Sequence, residues 1–467
     1  METLQRTANR GSLSTGYDIG NSCKFDRDNS EAILTQNQAA GNQKTWTFSA
    51  WIKRSRLSYD WDNIFGAGTI YTLFTAEDDL VFTMYNGTTY QLQTDRKFRD
   101  TSAWYHIVVQ LDTTQSTASN RAKIWVNGVQ ETSFSTETYP NQNDTFDLGG
   151  QGSSANWIQL GRFYSGSRHF SGYMADVYYL NGTAEDADAF GETDEDTGIW
   201  IPKAYTGSGY GTQGFHYKFD NASNLGEDSS GEGHDGNNLV NISAADQATD
   251  TPTNNFTTWN TIRYYNGGDT VFKEGGTVVD NNFSGGFSAV NNTMRIGKGK
   301  WYAEFAVTVS GNVLMNGNVD ADYIDNDVNA AFYLGSLTNK TAGAGYYSSG
   351  TTGADAIYYE QTYVTTGIVT SANDIISVAI DCDNNKVHFA VNGTYTNSSN
   401  PATNANGFAM TDNEQYFALA AIGVRDYRAN FGGFTTISIS SAASDANGYG
   451  NFEYAPPTGY FSLCTKN

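Results

Sequence analysis

Cysteine, proline and charge are all scarce in this chain. Three cysteines (Cys23, Cys382, Cys464) are scattered over 467 residues with no Cys-x-x-Cys spacing, which excludes a disulfide framework and a cysteine zinc site. Cys382 falls on the inward face of its strand and reads as core. Charged residues make up 16% of the chain, below the usual ~25%, so the surface must be built from Asn, Thr, Ser, Gln and Gly. Positive charge is the scarcer sign: Lys and Arg number 27 against 50 Asp and Glu, for a net charge of −23. That balance argues against nucleic acid and anionic membranes as partners, and permits divalent cations and neutral sugars. No apolar run is long enough to insert in a membrane, and Met1 to Gly20 lacks the apolar region of an export signal. Neither Gly-x-Ser-x-Gly nor His-Glu-x-x-His occurs.

What the chain does have is aromatic residues, at 14%, and a strict period of two. Trp104-Tyr105-His106-Ile107-Val108-Val109-Gln110-Leu111-Asp112 places Tyr105, Ile107, Val109 and Leu111 on one face of a strand. A polar loop leads to Lys123-Ile124-Trp125-Val126-Asn127-Gly128, whose Asn-Gly tolerates the positive φ of a tight hairpin turn. This pair of strands is expected in the middle of a two-sheet sandwich. The second half repeats the pattern: Asp374–Asp381 alternates, and Lys386-Val387-His388-Phe389-Ala390-Val391-Asn392-Gly393 again closes on Val-Asn-Gly. The length suits two domains of about 200 residues each.

In chain order, 1–21 is a polar arm, disordered unless a neighbouring subunit pins it. Trp46, Phe48, Ala50 and Ile52 share one face of a core strand, while Trp51 points the other way, covered by a second layer or exposed. Strands follow at Asn63–Ala67, Tyr71–Thr75, Leu80–Tyr85 and Tyr90–Thr94, then Trp157–Arg162 and the alternating Phe170–Leu180. Glu185 to Asp196 reads as a short helix or exposed loop, and Gly214–Asp220 as the strand that closes the first sandwich. A boundary is placed in the Pro252-containing stretch 241–260. The expected domains are therefore the arm 1–21, a sandwich at 22–240, a linker at 241–260 and a second sandwich at 261–467.

Trp46–Lys53, Trp104–Asp112, Lys123–Gly128, Ile158–Gly161 and Phe170–Tyr178 resemble, in order and spacing, the laminin-G-like, concanavalin-A-like lectin sandwich. The phrase GFHYKFDNASNLGEDSSGEGHDGNNLVNISAADQATDTPTNNF resembles proteins of marine tailed bacteriophages labelled tail-fibre-like. In the second half GKWYAEF, NDIISVAIDCDNNKVHFAVNG and a late Asn430-Phe431-Gly432 resemble a SPRY-type sandwich, a recognition module. The terminal Tyr454–Thr465, entered through Pro456-Pro457, is similar to endings of the same phage proteins. The resemblance implies an all-β chain of two tandem antiparallel β-sandwiches, a concanavalin-A-like jelly roll followed by a SPRY-like domain. It further implies a virion protein, made in the cytoplasm of an infected host, whose partners are other virion proteins, a host surface glycan and further copies of itself as a homo-oligomer.

Glycosidases on a lectin sandwich use carboxylates alternating along one strand. The nearest segment, Glu192-Thr193-Asp194-Glu195-Asp196, lacks interleaved apolar residues, so no catalytic residue is assigned and the chain is read as a non-enzyme. The alternative is a glycan depolymerase on the lectin-like fold. His106 and His388 sit on strands, facing solvent or hydrogen-bonded. Asp320, Asp322, Asp325 and Asp327 cluster hard oxygen ligands suited to Ca²⁺, without the Gly of an EF-hand loop, and a plain acidic loop is the competing reading. Sugar binding needs exposed rings beside polar groups. Tyr59, Trp61 and Asp62 form one such loop, and Tyr346 and Tyr347 another.

Overall fold

The computed structural model describes residues 17–35, 41–146, 148, 157–266, 270–281, 287–306, 314–320, 343–348, 355–359, 362–410, 414–422 and 425–467. Among these, regular structure consists of β-strands and a few three-residue 3₁₀ turns. No helix among the described residues is long and apolar enough to cross a membrane. The chain divides into two compact units between Asn255 and Phe256.

The first unit is two packed antiparallel sheets. One runs in the order Val129–Gln130, Ala122–Val126, Trp104–Asp112, Thr45–Arg54, Gly172–Asn181, Ser22–Phe25, Gln247–Ala248, with Phe215–Tyr217 also paired to Gly172–Asn181. The other runs Phe134–Glu137, Thr89–Lys97, Asp79–Tyr85, Ile70–Phe74, Asp62–Ala67, Ile158–Leu160, Ala32–Thr35, Asn238–Val240. The alternation of the sequence decides what meets between the sheets. Trp46, Phe48, Ala50, Ile52, Ile107, Val109 and Leu111 join Phe65, Phe82 and Leu92 in one core. Phe48 stacks on Phe65 at 4.2 Å and Trp46 meets Phe82 edge-on at 5.7 Å. Burial of each such ring contributes roughly 1.5–3 kcal/mol.

Three expectations about this unit change. The Trp104–Val126 hairpin is not central: only two-residue Val129–Gln130 lies beyond it, and the middle is held by Thr45–Arg54 and Gly172–Asn181. Glu185 to Asp196 is neither helix nor plain loop. It holds one 3₁₀ turn, Ala187–Ala189, and then Gly191–Thr193 paired with Trp200–Pro202. Phe215–Tyr217 is not the last strand, since Asn238–Val240 and Gln247–Ala248 each add to a sheet. The small hairpin explains Trp51, which is 1% exposed and stacks on His106 at 4.8 Å. That outward face is a second apolar layer, where Val108, Trp125, Tyr178 and Leu180 lie under Phe190, Trp200, Tyr205 and Tyr210.

Residues 241–255, read as linker, are ordered within this unit. Asp250 is buried and accepts from Lys53 Nζ at 2.6 Å and from Trp104 Nε1 at 3.1 Å, and Asn255 Oδ1 takes a second Lys53 proton at 2.7 Å. A buried ammonium needs such partners, because an unpaired one carries a desolvation penalty of several kcal/mol.

The second unit is again two sheets. Among the described residues one runs Trp259–Asn266, Phe287–Asn292, Gln415–Ile422, Leu314–Asp320, Gly343–Ser348, Ala356–Tyr359, Thr362–Thr365. The other runs Thr270–Lys273, Val278–Asn281, Arg425–Asn430, Lys300–Ala306, Ile375–Asp381, Lys386–Val391, Thr394–Tyr395. Ile376, Val378 and Ile380 face Phe305, Phe389 and Phe417 in its core. Cys382 lies one residue past its strand and is only partly buried, against the core rather than in it. The terminal segment enters as the two-residue strand Phe461–Ser462, parallel to Lys300–Ala306. Beneath it Glu304 is fully buried and accepts from the Tyr302 hydroxyl, Asn430 Nδ2 and the amides of Glu453 and Tyr454.

Candidate functional site

At one edge of the first unit the chain leaves the Thr45–Arg54 strand, loops through Ser55–Trp61 and enters the Asp62–Ala67 strand. The loop stands on a buried ionic cluster. Arg54 is 0% exposed and gives Nη1 to Asp78 Oδ1 at 3.0 Å and to the Phe98 carbonyl at 2.8 Å. Its Nη2 lies 3.5 Å from Asp62 Oδ2. Arg27 Nη1 reaches the other Asp62 oxygen at 2.8 Å, and Asp78 also accepts from Ser58 N and Arg99 Nε. Buried charges with this many partners hold one geometry, because losing any partner leaves an uncompensated charge.

On this base sits a row of rings. Tyr59 lies between the guanidiniums of Arg27 (3.8 Å) and Arg56 (4.0 Å), and Arg56 also donates to its hydroxyl. Trp61, at φ 66°, lies beside Tyr71 with 6.3 Å between centroids. Tyr71 meets Phe163 edge-on at 5.0 Å, and Phe163 adjoins Tyr164 at 4.3 Å. Phe163 and Tyr164 belong to a tight turn closed by Phe163 N donating to the Ser167 carbonyl, and Arg168 of that turn stacks over Trp61 at 4.0 Å and Phe163 at 4.7 Å. Asn63 ties the two loops, its amide N–H donating to the Arg168 carbonyl at 3.1 Å and its side chain to that of Arg162 at 2.6 Å. Tyr59, Trp61, Tyr71 and Phe163 are half-buried and Tyr164 is exposed. The result is a surface strip of rings interleaved with guanidiniums in which Tyr59 is held between two arginines. The ring surfaces of Trp61, Tyr71, Phe163 and Tyr164 not covered by Arg168 suit contact with the apolar face of a sugar whose hydroxyls find N–H donors.

Of the residues the sequence nominated, the structure gathers Tyr59 and Trp61 here. Asp62 is adjacent but fully buried, with its oxygens engaged by Arg27 and Arg54. It props the strip and is not a surface ligand. Tyr346 and Tyr347 are not a loop: both lie in the Gly343–Ser348 strand. Tyr346 is a core residue whose hydroxyl donates to Asp355, and Tyr347 packs edge-on against Tyr358. Asp320 ends the Leu314–Asp320 strand, while Asp322, Asp325 and Asp327 lie outside the described residues, as does the arm 1–16. Among the described residues no group of His, Cys, Asp and Glu is poised to hold a metal ion.

Tyr71, Phe163, Tyr164 and Arg168 were missed. Their one sequence signal is Arg162-Phe163-Tyr164-Ser165-Gly166-Ser167-Arg168, an aromatic turn between strands. Nothing local says that it meets Trp61.

The remaining titratable groups are structural in their setting. His106 is buried against solvent and hydrogen-bonded: Trp200 Nε1–H donates to its Nδ1 at 3.1 Å, so Nε2 carries the proton and donates to Ser49 Oγ at 2.8 Å. Burial holds its pKa down to about 3. His388 is likewise buried, with Nε2 3.2 Å from Asn404 Oδ1. His216 meets Asp176 at 2.6 Å and stacks on Tyr178 at 3.9 Å, all beneath the second apolar layer. In the acidic run, Asp194 caps its own turn by accepting from Asp196 N and from Thr197 N and Oγ1.

The first unit is thus an antiparallel two-sheet sandwich with an aromatic strip at one edge. Residues 27–189, which include the whole ring strip, match the model of the Concanavalin A-like lectin/glucanases superfamily. A search of curated proteins finds no match. Among solved structures, the SPRY domain of human HERC1 is 13% identical, with 37% of this chain and 96% of that chain covered and a TM-score of 0.27. The TRIM65 PSpry domain is 8% identical, with 37% and 89% covered and a TM-score of 0.28. A Bacteroides ovatus protein described as carbohydrate-binding is 20% identical, with 38% of this chain and 47% of that one covered and a TM-score of 0.26.

Proposed function

We propose that this chain is a non-enzymatic recognition protein of a virion surface, tail-fibre-like or head-decorating, that binds host glycans through the ring strip of its first sandwich. The observation that carries the reading is the strip itself: Tyr59, Trp61, Tyr71 and Phe163 half-buried and Tyr164 exposed, held by Arg27, Arg56, Arg168 and Asn63 beside the Arg54–Asp62–Asp78 cluster, within the span that matches a lectin model. Binding of this kind needs no metal and no cofactor. The virion setting is supported by the sparsely charged composition rich in hydrogen-bonding Asn, Thr, Ser and Gln and by the resemblance of 214–256 and of the terminal segment to phage proteins. Other virion proteins and further copies of the chain are the partners that setting supplies.

A glycan array with the full chain and a Trp61→Ala variant tests the reading. Trp61→Ala is expected to weaken binding by about tenfold or more, since truncating a central ring of a binding patch typically costs about 2 kcal/mol. A blank array for the native chain ends the glycan reading. New reducing ends or unsaturated uronates in the incubated polysaccharide would instead make it a depolymerase, as the glucanase half of the superfamily name allows. Antibody labelling of intact particles in the electron microscope checks the virion setting.

A further inference from the structure

We propose that the strip selects acidic sugars, taking the carboxylate of a uronic- or sialic-type residue on Arg168 and Arg162; this deepens the glycan-binding reading and rests on it. The first ground is a mismatch in charge pairing. Arg27, Arg54, Arg56, Arg96 and Arg99 each meet an Asp or Glu. In a chain with 50 acidic and 27 basic residues, the two arginines of the 162–168 turn meet no carboxylate among the described residues; Arg121 and Arg428 meet none either, but they donate to backbone carbonyls. Arg162 spends Nε on the Gln159 side chain at 2.7 Å, and Arg168 makes ring contacts only.

The second ground is how Arg168 is held. Its guanidinium carbon lies 4.0 Å from the Trp61 ring centroid and 4.7 Å from that of Phe163, and no group among the described residues takes its N–H donors, which leaves them for a ligand. A planar guanidinium fork matches a carboxylate with two parallel hydrogen bonds, which a neutral hydroxyl cannot accept. The third ground is backbone strain. Trp61 (φ 66°) and Arg168 (φ 56°) both occupy the left-handed region, which a bulky side chain avoids unless its surroundings over-determine it. The Asn63 amide, two residues after Trp61, donates to the Arg168 carbonyl, which ties the two loops together.

The test measures binding of the full chain to oligogalacturonate, to its carboxyl-reduced neutral form and to dextran sulfate, at low and physiological salt. Oligogalacturonate is expected to bind at least about tenfold tighter than the reduced form, with the difference erased in Arg168→Gln. Arg168→Lys keeps the charge without the fork and is expected to recover only part of it, with circular dichroism confirming that each variant is folded. Equal binding of the acidic and reduced oligomers overturns the acidic-sugar assignment and leaves the glycan reading standing. Dextran sulfate binding as tightly as oligogalacturonate overturns the carboxylate geometry. No binding to any of the three, together with a blank glycan array, overturns both.

Discussion

The behaviour of single residues here turns on whether a polar group can keep water. Asp62 was nominated as a sugar ligand because it follows Tyr59 and Trp61, yet a strand residue pointing into an arginine cluster has no exposed oxygen to offer. Sequence spacing placed the two rings correctly and could not orient the carboxylate, since the groups that engage it are Arg54 of the preceding strand and Arg27 from a turn 35 residues upstream. His106 gives a sharper test of the same principle. Its Nδ1 already faces the Trp200 N–H, so a proton added there would set two donors against each other in a dry site. The unfolded chain binds that proton near 6.5 and the folded chain only near 3. Unfolding therefore takes up a proton between these values, and acid favours it, by up to about 1.4 kcal/mol per pH unit. Urea melts from pH 7 to pH 4 are expected to show stability falling with pH, with a flatter profile for His106→Gln. An unchanged slope in the variant would assign the acid sensitivity elsewhere.

At the scale of elements, the Val-Asn-Gly echo between the halves proves to be one device used twice. Asn127 and Asn392 take φ near 48° and 47°, and Gly128 and Gly393 take 79° and 76°, the left-handed pair a two-residue hairpin turn requires. In each case the Asn Oδ1 accepts the backbone N–H of the facing strand, His106 at 2.7 Å and Ile375 at 2.9 Å. In each case a ring from later in the chain, Trp200 or Tyr454, lies where a glycine Cβ would stand. Gly128→Ala and Gly393→Ala are each expected to destabilise the protein by about 1–2 kcal/mol from the turn conformation alone, with more from displacing the ring. Denaturant unfolding measures it, and a neutral effect at either turn would show that the turn relaxes freely. The turns were legible because Asn-Gly carries its own backbone preference. The bulge in Gly172–Asn181 was not. Its register slips between Ala175 and Tyr178, with Asp176 at φ 50°, so that Met174, Val177 and Tyr179 all reach the core. Such a slip answers to the partner strand and has no local signature.

For the whole molecule, the net charge of −23 sets what it meets and avoids. Double-stranded DNA is expected not to be retarded by the full chain at physiological salt, because the net negative charge repels the phosphate backbone and the few guanidiniums of the strip neutralise too few phosphates to offset it. A gel-shift assay checks it, and a salt-sensitive shift would refute it. A shallow ring strip binds weakly as one copy, whereas display of several copies raises avidity by roughly 10²–10⁴. Retention of the chain on a sensor surface is therefore expected to rise steeply with glycan density when copies are coupled together on a carrier, and only in proportion to density for the single chain.

The amino-acid sequence by itself determined the alternating strands, the hairpin turns, the two-sandwich plan and the absence of a cationic surface. These follow from periods and dipeptides spanning fewer than about ten residues, where backbone geometry alone links position to face. Only the tertiary structure decided that the acidic run folds back to roof over Trp51 and His106, and that Tyr346 is core. The same holds for Trp61, Phe163 and Arg168 forming one strip. Each of those depends on which side chains separate strands bring within van der Waals reach, and burial there inverts the role a residue's chemistry suggests on its own.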